Sequence, residues 1–182
     1  MDSLRRVAAE LSIPERTLRR AATEGLIRGE RVGPRLFLVP LREESYLRTH
    51  WPLLRALRAA LRTEPNVRLA VLFGSTAAGE DEEASELDIL VALRDAEIHR
   101  LAALSERVTQ AVSREVQLMR LSDAERSPAL MVAVLEQGRV LIDRDDTWRQ
   151  LRARERKLRR AARREERASL SNLDAVSLED RR

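Results

Sequence analysis

Cysteine is absent from this sequence of 182 residues, and histidine, lysine and aromatic residues are scarce. Without cysteine the chain can form neither a disulfide framework nor a thiolate metal site. The only two histidines are His50 and His99, and a zinc site without cysteine is disfavoured. Aromatic residues make up 3% of the chain, so leucine, valine and alanine must build the core, for which the hydrophobic content of 43% is sufficient.

Long hydrophobic runs are also missing. No apolar segment approaches the length of a transmembrane helix, and the first residues carry no apolar signal segment. We therefore expect a cytoplasmic protein without a membrane partner.

Lysine occurs once, at Lys157, so nearly all the positive charge comes from arginine. The charge is uneven along the chain: residues 1–40 hold 8 basic and 5 acidic residues, residues 41–146 hold 14 and 19, and residues 147–182 hold 12 and 6. A basic beginning and a basic end around an acidic middle predict a polyanionic partner for the two ends rather than for the middle.

The most informative stretch joins two apolar runs, at 69–73 and 89–93, through Gly74 and Ser75. A strand that ends in Gly-Ser leads into a tight turn whose free backbone N–H groups and hydroxyl suit phosphate oxygens. Glu86 and Asp88 are two residues apart at the start of the next strand, so both carboxylates are expected on one face. Paired carboxylates beside a phosphate turn can hold Mg²⁺, and this combination predicts phosphoryl or nucleotidyl transfer. The alternative is a structural turn followed by a solvated acidic loop.

This stretch resembles the signature of the DNA polymerase β-like nucleotidyltransferases, especially the minimal nucleotidyltransferases of bacteria. The positions that match are Gly74, Ser75, Gly79, Ser85 and Asp88. The resemblance implies Mg²⁺-dependent transfer of NMP from an NTP, expected to be ATP, to a hydroxyl on a protein, an RNA or a small molecule. It also implies an antitoxin role with a HEPN-type toxin as partner. The nucleotide-binding residues that it implies are Gly74, Ser75 and Ser85, and the metal-binding residues are Glu86 and Asp88.

Two departures from the family pattern bear on catalysis. The first acid of the pair is Glu86, one methylene longer than the usual aspartate, and the expected third catalytic acid aligns with Gln117. An amide has no charge with which to bind metal or act as a base, so Gln117 predicts nucleotide binding with slow or absent turnover. Glu115 shares the face of Gln117 and is the alternative third acid. The rival hypothesis is a catalytically impaired DNA-binding regulator that uses the nucleotidyltransferase fold as a sensor or dimerisation platform.

The first 40 residues predict two helices, at 4–11 and from Pro14 to about residue 24, and then two strands, at 26–27 and 36–39. This order resembles the winged helix-turn-helix domains of the MerR and excisionase types. In such a domain the second helix lies in the DNA major groove. The residues expected to contact DNA are Arg16, Thr17, Arg19 and Arg20 in that helix and Arg31 and Arg35 at the wing. The alternative is a helical cap or dimerisation module, in which case the chain is expected to form a homodimer.

The remaining pattern alternates strands and helices and predicts an α/β (α+β) fold with a mixed sheet. We expect a winged helix-turn-helix domain at 1–40, a connector helix at 41–64, and a nucleotidyltransferase domain at 65–146. Residues 147–182 are expected to form a basic helix, at 147–169, followed by a disordered tail from residue 171. That helix either contacts nucleic-acid phosphate or is simply solvated.

Overall fold

The computed structural model describes residues 2–33, 36–82, 85–95 and 97–179, with side chains up to residue 168. The first part of the chain forms a three-stranded antiparallel sheet with two helices. Its elements are β1 (Asp2–Ser3), α1 (Leu4–Glu10), α2 (Glu15–Thr23), β2 (Glu30–Val32) and β3 (Leu36–Val39). β3 lies between the other two strands. Both helices lie where the sequence predicts them, while their assignment to a DNA-binding domain stays a prediction.

The first strand of the β2–β3 hairpin lies at Glu30–Val32 and not at 26–27, where the sequence predicted it. Leu26 and Ile27 are instead buried in the main core, with exposures of 0% and 3%. Gly25 ends α2 with a φ of +84°, and the Leu26 N–H donates to the Ala21 carbonyl at 2.9 Å. This helix-ending bond turns the chain inward, so both apolar side chains pack, whereas a hairpin strand would expose one of them.

The long helix predicted after the hairpin is α3 (Leu41–Arg62). Pro52 lies inside it, where proline removes one backbone hydrogen bond because it has no N–H. The helix nevertheless continues, since a stripe of large apolar side chains at helical spacing is buried along its length. That stripe consists of Leu47, Trp51, Leu54, Leu57 and Leu61.

A four-stranded mixed sheet forms the second part of the chain, with the strand order β6-β5-β4-β7. Its elements are β4 (Val67–Phe73), α4 (Gly74–Ala78), β5 (Leu87–Leu93), α5 (Ile98–Val112), β6 (Val116–Arg120), α6 (Leu121–Ala124), α7 (Pro128–Gln137) and β7 (Arg139–Asp143). β4 pairs antiparallel with β5 and β7, and β5 pairs parallel with β6. The prediction of an α/β chain with a mixed sheet is confirmed, and the short helix α6 is an addition to it.

Alternate side chains along the sheet pack into two different hydrophobic cores. Leu87, Ile89 and Val91 of β5 belong to the large core that also contains the buried stripe of α3. Leu90, between them, belongs to a smaller core together with Met131 of α7. The period of two along the strand therefore gives β5 one face towards α3 and another towards α7.

The basic segment expected at 147–169 is divided into α8 (Thr147–Ala153) and α9 (Glu155–Glu179). Leu151 of α8 is buried in the smaller core, and Leu158 of α9 packs against it. Helical structure continues to Glu179, past residue 170, where the sequence predicted a disordered tail. Alanine, leucine, arginine and glutamate dominate α9, and these residues favour a helix. No helix of the described residues is both long enough and apolar enough to span a membrane.

A buried ion pair connects the beginning of the chain to the last strand of the sheet. Arg139 of β7 is 1% exposed and Glu43 of α3 is 4% exposed, and two guanidinium nitrogens donate to the carboxylate at 2.6 and 2.9 Å. Arg139 also donates to the carbonyls of Leu26, at 3.2 Å, and Ala77, at 2.8 Å. The ring of Tyr46 lies 3.5 Å from its guanidinium carbon. The Arg139 guanidinium therefore has hydrogen-bond acceptors in the N-terminal segment, in α3 and in α4.

Replacing Arg139 by methionine should lower the free energy of unfolding by about 3–5 kcal/mol, because the Glu43 carboxylate would stay buried without its partner. Urea unfolding measures the change. The double variant Arg139→Met/Glu43→Met should recover much of the loss, since no buried charge remains unpaired. As a control, replacing the exposed Arg126, 3.8 Å from Asp123, should change stability by less than about 0.5 kcal/mol. Equal effects at the two arginines would contradict this account.

Candidate functional site

The turn between β4 and α4 brings a carboxylate directly against the backbone. Gly74 has a φ of +74°, a left-handed conformation that glycine adopts without strain. A Cβ at Gly74 would lie 2.5 Å from Asp88 Oδ2, so no larger residue fits while that carboxylate stays in place. Phe73 and Asp88 are paired residues of the antiparallel β4–β5 ladder. The strand pairing therefore positions the carboxylate beside the first turn of α4, whose leading N–H groups have no acceptor within the helix.

The other predicted catalytic residues lie next to Asp88 along the sheet. Asp88 and Gln117 are direct partners in the parallel β5–β6 ladder, so their side chains share one face. Glu86 and Glu115 precede these two residues by two positions each, just before β5 and β6 begin. Asp88 is half-buried and the other three side chains are exposed. The structure thus places Asp88 and Gln117 side by side, with Glu86 and Glu115 at the beginnings of the same two strands.

Burial raises the pKa of the Asp88 carboxyl above its ordinary value. A cation at this position would compensate the charged form of Asp88. Within the described ranges, no group of three or more histidine, aspartate or glutamate side chains could hold a metal ion. The site has two carboxylates instead, and Mg²⁺ in nucleotide sites is commonly held by one or two carboxylates together with substrate phosphates. Glu86 and Asp88 therefore fit a Mg²⁺ ion that arrives with a nucleotide.

The two serines of the predicted nucleotide site differ in what their hydroxyls can reach. Ser75 is exposed in the first turn of α4, beside the Asp88 carboxylate. Ser85 closes a local turn: its hydroxyl accepts the Glu82 N–H at 2.9 Å, and its own N–H donates to the Glu82 carbonyl at 3.0 Å. Ser75 is thus the serine whose hydroxyl is open to a ligand, and Ser85 shapes the approach to β5.

A polar cluster that sequence reasoning missed fixes the chain before β5. Asp81 has 7% side-chain exposure, accepts a hydrogen bond from Arg114 at 3.0 Å, and lies 2.9 Å from His50 Nε2. Burial on its own raises the pKa of Asp81, but the hydrogen bonds with His50 and Arg114 bring it below its ordinary value. Arg114 also donates to the Ser85 carbonyl at 2.6 Å. The cluster therefore holds the segment that leads into the carboxylate pair.

A second set of contacts supports the C-terminal end of α4. Arg28, which follows α2, donates a guanidinium N–H to the Ala77 carbonyl at 3.0 Å and its backbone N–H to Glu43 at 3.0 Å. Arg139 donates to the same Ala77 carbonyl. Two arginines thus bind the last turn of the helix that begins at Gly74. An arginine in a run that otherwise reads as a buried strand, as at Arg139, is the sequence signal that could have revealed this support.

The residues of α2 predicted to contact DNA differ in their exposure. Arg16, Thr17 and Arg20 are exposed, as their spacing along the helix predicts for one face. Arg19 is half-buried and forms an ion pair with Glu15 one turn earlier. The structure therefore brings Arg16, Thr17 and Arg20 together and places Arg19 beside them.

At the hairpin, Arg31 is exposed in β2, and its guanidinium donates to the Thr23 hydroxyl at 3.4 Å. This contact connects the hairpin to the end of α2. The other predicted wing residue, Arg35, lies outside the described residues.

The nucleotidyltransferase part of the chain is similar to known proteins. The family model for polymerase beta nucleotidyltransferases matches residues 55–147. A chain from the crystal structure of a toxin–antitoxin with AMP-PNP is similar, with a TM-score of 0.55 and 23% identity over 66% of this chain and 97% of that one. A chain from the MntA–HepT toxin–antitoxin structure gives a TM-score of 0.52 and 21% identity over 68% of this chain and 97% of that one.

These structural likenesses show the fold alone, and the search of curated proteins finds no match. The family model, in contrast, spans more than half of the chain and includes the Gly74 turn together with Glu86, Asp88 and Gln117. The chain therefore belongs to the polymerase beta nucleotidyltransferase family.

Proposed function

We propose that this protein transfers NMP from ATP, in the presence of Mg²⁺, to a hydroxyl of a protein or RNA acceptor. The acceptor oxygen forms a bond to the α-phosphorus while the bond to the β-phosphate breaks and pyrophosphate leaves. We also propose that the protein is an antitoxin that binds DNA. The observation that carries the transfer chemistry is the approach of Asp88 to the Gly74 turn. The carboxylate lies 2.5 Å from the position of a Cβ at Gly74, so the proposed metal ligand lies against the backbone that we assign to the phosphates. Family membership supports a nucleotide as the substrate.

In this proposal the start of α4 binds the triphosphate. Its free N–H groups and the Ser75 hydroxyl donate to phosphate oxygens. Glu86 and Asp88 would hold Mg²⁺, and the ion would supply Lewis-acid chemistry for the phosphate and acceptor oxygens. Ser85 keeps the segment before β5 in place through its contacts with Glu82. Arg114 of the polar cluster around Asp81 holds the Ser85 carbonyl, next to the carboxylate pair, while the phosphates bind.

The structural neighbours support the choice of nucleotide and partner. One of them was crystallised with AMP-PNP, an ATP analogue, and both come from toxin–antitoxin structures. We infer that a HEPN-type toxin is the protein partner and that one of its hydroxyls is the acceptor. DNA binding is supported by the exposed Arg16, Thr17 and Arg20 of α2 and by the basic face of α9. That face includes Arg156, Lys157, Arg160, Arg163, Arg164 and Arg167.

The experiment that tests the transfer chemistry supplies the purified chain with Mg²⁺, cell lysate and ATP labelled at either the α- or the γ-phosphate. Transfer of NMP should label a macromolecule from the α-labelled ATP only, and a chelator should abolish it. Glu86→Gln should reduce the labelling by about tenfold to a hundredfold, because one of the two metal ligands loses its charge. Labelling from γ-labelled ATP would instead indicate phosphoryl transfer, and labelling without Mg²⁺ would contradict the assigned metal role.

A second candidate function is a regulator that binds nucleotide without transferring it. The pairing of Gln117 with Asp88 favours it, since the position beside the metal ligands carries an amide. The two functions are distinguished by measuring ATP binding together with transfer. Mg²⁺-dependent ATP binding with no labelled acceptor, in lysate or with a HEPN-type toxin added, would favour the regulator.

A further inference from the structure

A deep groove lies between α2 and α3, away from the Gly74 turn. It has a volume of about 680 Å³ and is lined by the exposed face of α2 and the second half of α3. Among the described residues that line it, five are arginines and none is acidic. We call it the arginine groove, and its charged residues are Arg16, Arg20, Arg55, Arg58 and Arg62.

Three of these arginines have no carboxylate partner within the described part of the chain: Arg16, Arg55 and Arg62. Most other arginines do have one; Arg20 and Arg58, for example, share Glu24. Unpaired guanidinium groups that converge on one concave surface concentrate positive potential there. An anion in the groove would supply the missing countercharge.

The same three arginines are exposed, so their guanidinium N–H groups are open to a ligand. Guanidinium N–H groups form charge-assisted hydrogen bonds with phosphate oxygens. The groove therefore combines free positive charge with accessible donors, which is the chemistry that recognises phosphate.

The basic surface continues beyond this groove. A neighbouring cavity of about 630 Å³ shares Arg20, Arg58 and Arg62 with it. The second cavity adds Arg149 and Arg152 of α8 and also has acidic residues in its lining. Positive charge thus follows a path from α2 along α3 to α8, which suits an extended polyanion better than a single small anion.

We propose that the arginine groove binds phosphate groups of a duplex DNA backbone, with Arg16, Arg55 and Arg62 donating to phosphate oxygens and neutralising their charge. This inference rests on the DNA binding proposed above. It adds that α3, which connects to the nucleotidyltransferase sheet, is itself part of the DNA-binding surface. Contacts of this kind add affinity and fix orientation without reading sequence.

The test measures binding of the full chain to a fluorescently labelled duplex over a range of salt concentrations. Each phosphate contact contributes about −0.9 to the slope of log K against log salt. The variant Arg55→Gln/Arg62→Gln should therefore reduce the magnitude of the slope by about 2 and weaken binding by about tenfold at low salt. The variant Arg94→Gln/Arg126→Gln makes the same charge change outside both cavities and should leave slope and affinity close to wild type.

Circular dichroism and a thermal melt establish that Arg55→Gln/Arg62→Gln is folded. Wild-type affinity and an unchanged salt slope for this folded variant would overturn the proposal.

Two further outcomes show which of the two DNA-binding proposals is wrong. If Arg16→Gln weakens DNA binding while the α3 variant does not, α2 binds DNA alone: the arginine groove is overturned and the proposed DNA binding stands. If the wild-type chain binds no duplex but binds inorganic phosphate or ATP through Arg55 and Arg62, both DNA proposals are overturned and the groove is a site for a free phosphate. Neither result affects the labelling assay for NMP transfer.

Discussion

Replacing Asp88 by asparagine should lower the rate of NMP transfer by about a hundred- to a thousandfold, because the site loses the carboxylate that lies against the Gly74 turn. Asparagine has nearly the same shape, so the close packing against Gly74 is preserved. The assay compares initial rates of label transfer from ATP at saturating Mg²⁺. Asp145→Asn is the matched control: it removes a carboxylate that pairs with Arg68, near the opposite end of β4, and should leave the rate unchanged.

The same substitution should not destabilise the fold. Burial raises the pKa of Asp88 in the folded protein, so the folded state disfavours the charged form. Without metal, the wild-type protein should therefore lose stability relative to Asp88→Asn as the pH rises from about 4, the ordinary range of aspartate, through the raised pKa. Below that range both side chains are neutral and the difference should vanish. Thermal melts across pH measure this. A variant that melts well below wild type at neutral pH would mean that lost transfer reflects lost folding.

Replacing Gln117 by glutamate should raise the rate of NMP transfer by about tenfold to a hundredfold. The change is isosteric and adds a carboxylate directly beside Asp88, where a negative charge can hold metal or take the proton of the acceptor hydroxyl. Without Mg²⁺ the added charge should slightly lower the melting temperature, because Asp88 and Glu86 repel it. Mg²⁺ together with ATP should reverse that effect. The measurements are transfer rates and melts with and without the ions.

Glu115→Gln is the companion variant, since Glu115 lies two residues before Gln117 and is the alternative third acid. If Glu115 acts as the third acid in the natural chain, Glu115→Gln should abolish the basal transfer and Gln117→Glu should restore it. If Glu115 has no such role, its replacement should leave the basal rate unchanged. A Gln117→Glu variant that binds ATP normally and still shows no transfer would contradict the idea that the amide limits catalysis.

The sequence was sufficient to predict the part of the site that depends on strands and a turn. Gly74 follows an apolar run and Asp88 begins the next one, and two adjacent strands joined through a short helix bring their ends together almost regardless of the rest of the fold. Gln117 could be placed beside Asp88 in the same way, because parallel neighbours in a sheet share a face. The roles of these residues in binding and catalysis stay predictions.

Other features could not be predicted because they depend on contacts between distant parts of the chain. Asp81 lies within the acidic run at 80–83, which suggests solvent exposure, and only the fold brings His50 and Arg114 to it. Leu26 and Ile27 have the composition of a strand, but the turn at Gly25 directs both into the core. The arginine groove is likewise hidden, since its residues come from two helices with no shared motif.

The buried Arg139 determines whether the first 40 residues can be removed without unfolding the rest of the protein. Its guanidinium is satisfied by Leu26, Glu43 and Ala77, which belong to segments on both sides of the β2–β3 hairpin, and one continuous core includes residues from Leu4 to Ile142. Deleting the first 40 residues would expose that core and leave the cation with incomplete partners. The two halves should therefore unfold in a single cooperative step. Truncation would then remove both the proposed DNA-binding surface and the proposed nucleotide site, so the two proposed activities are separable only by point substitution.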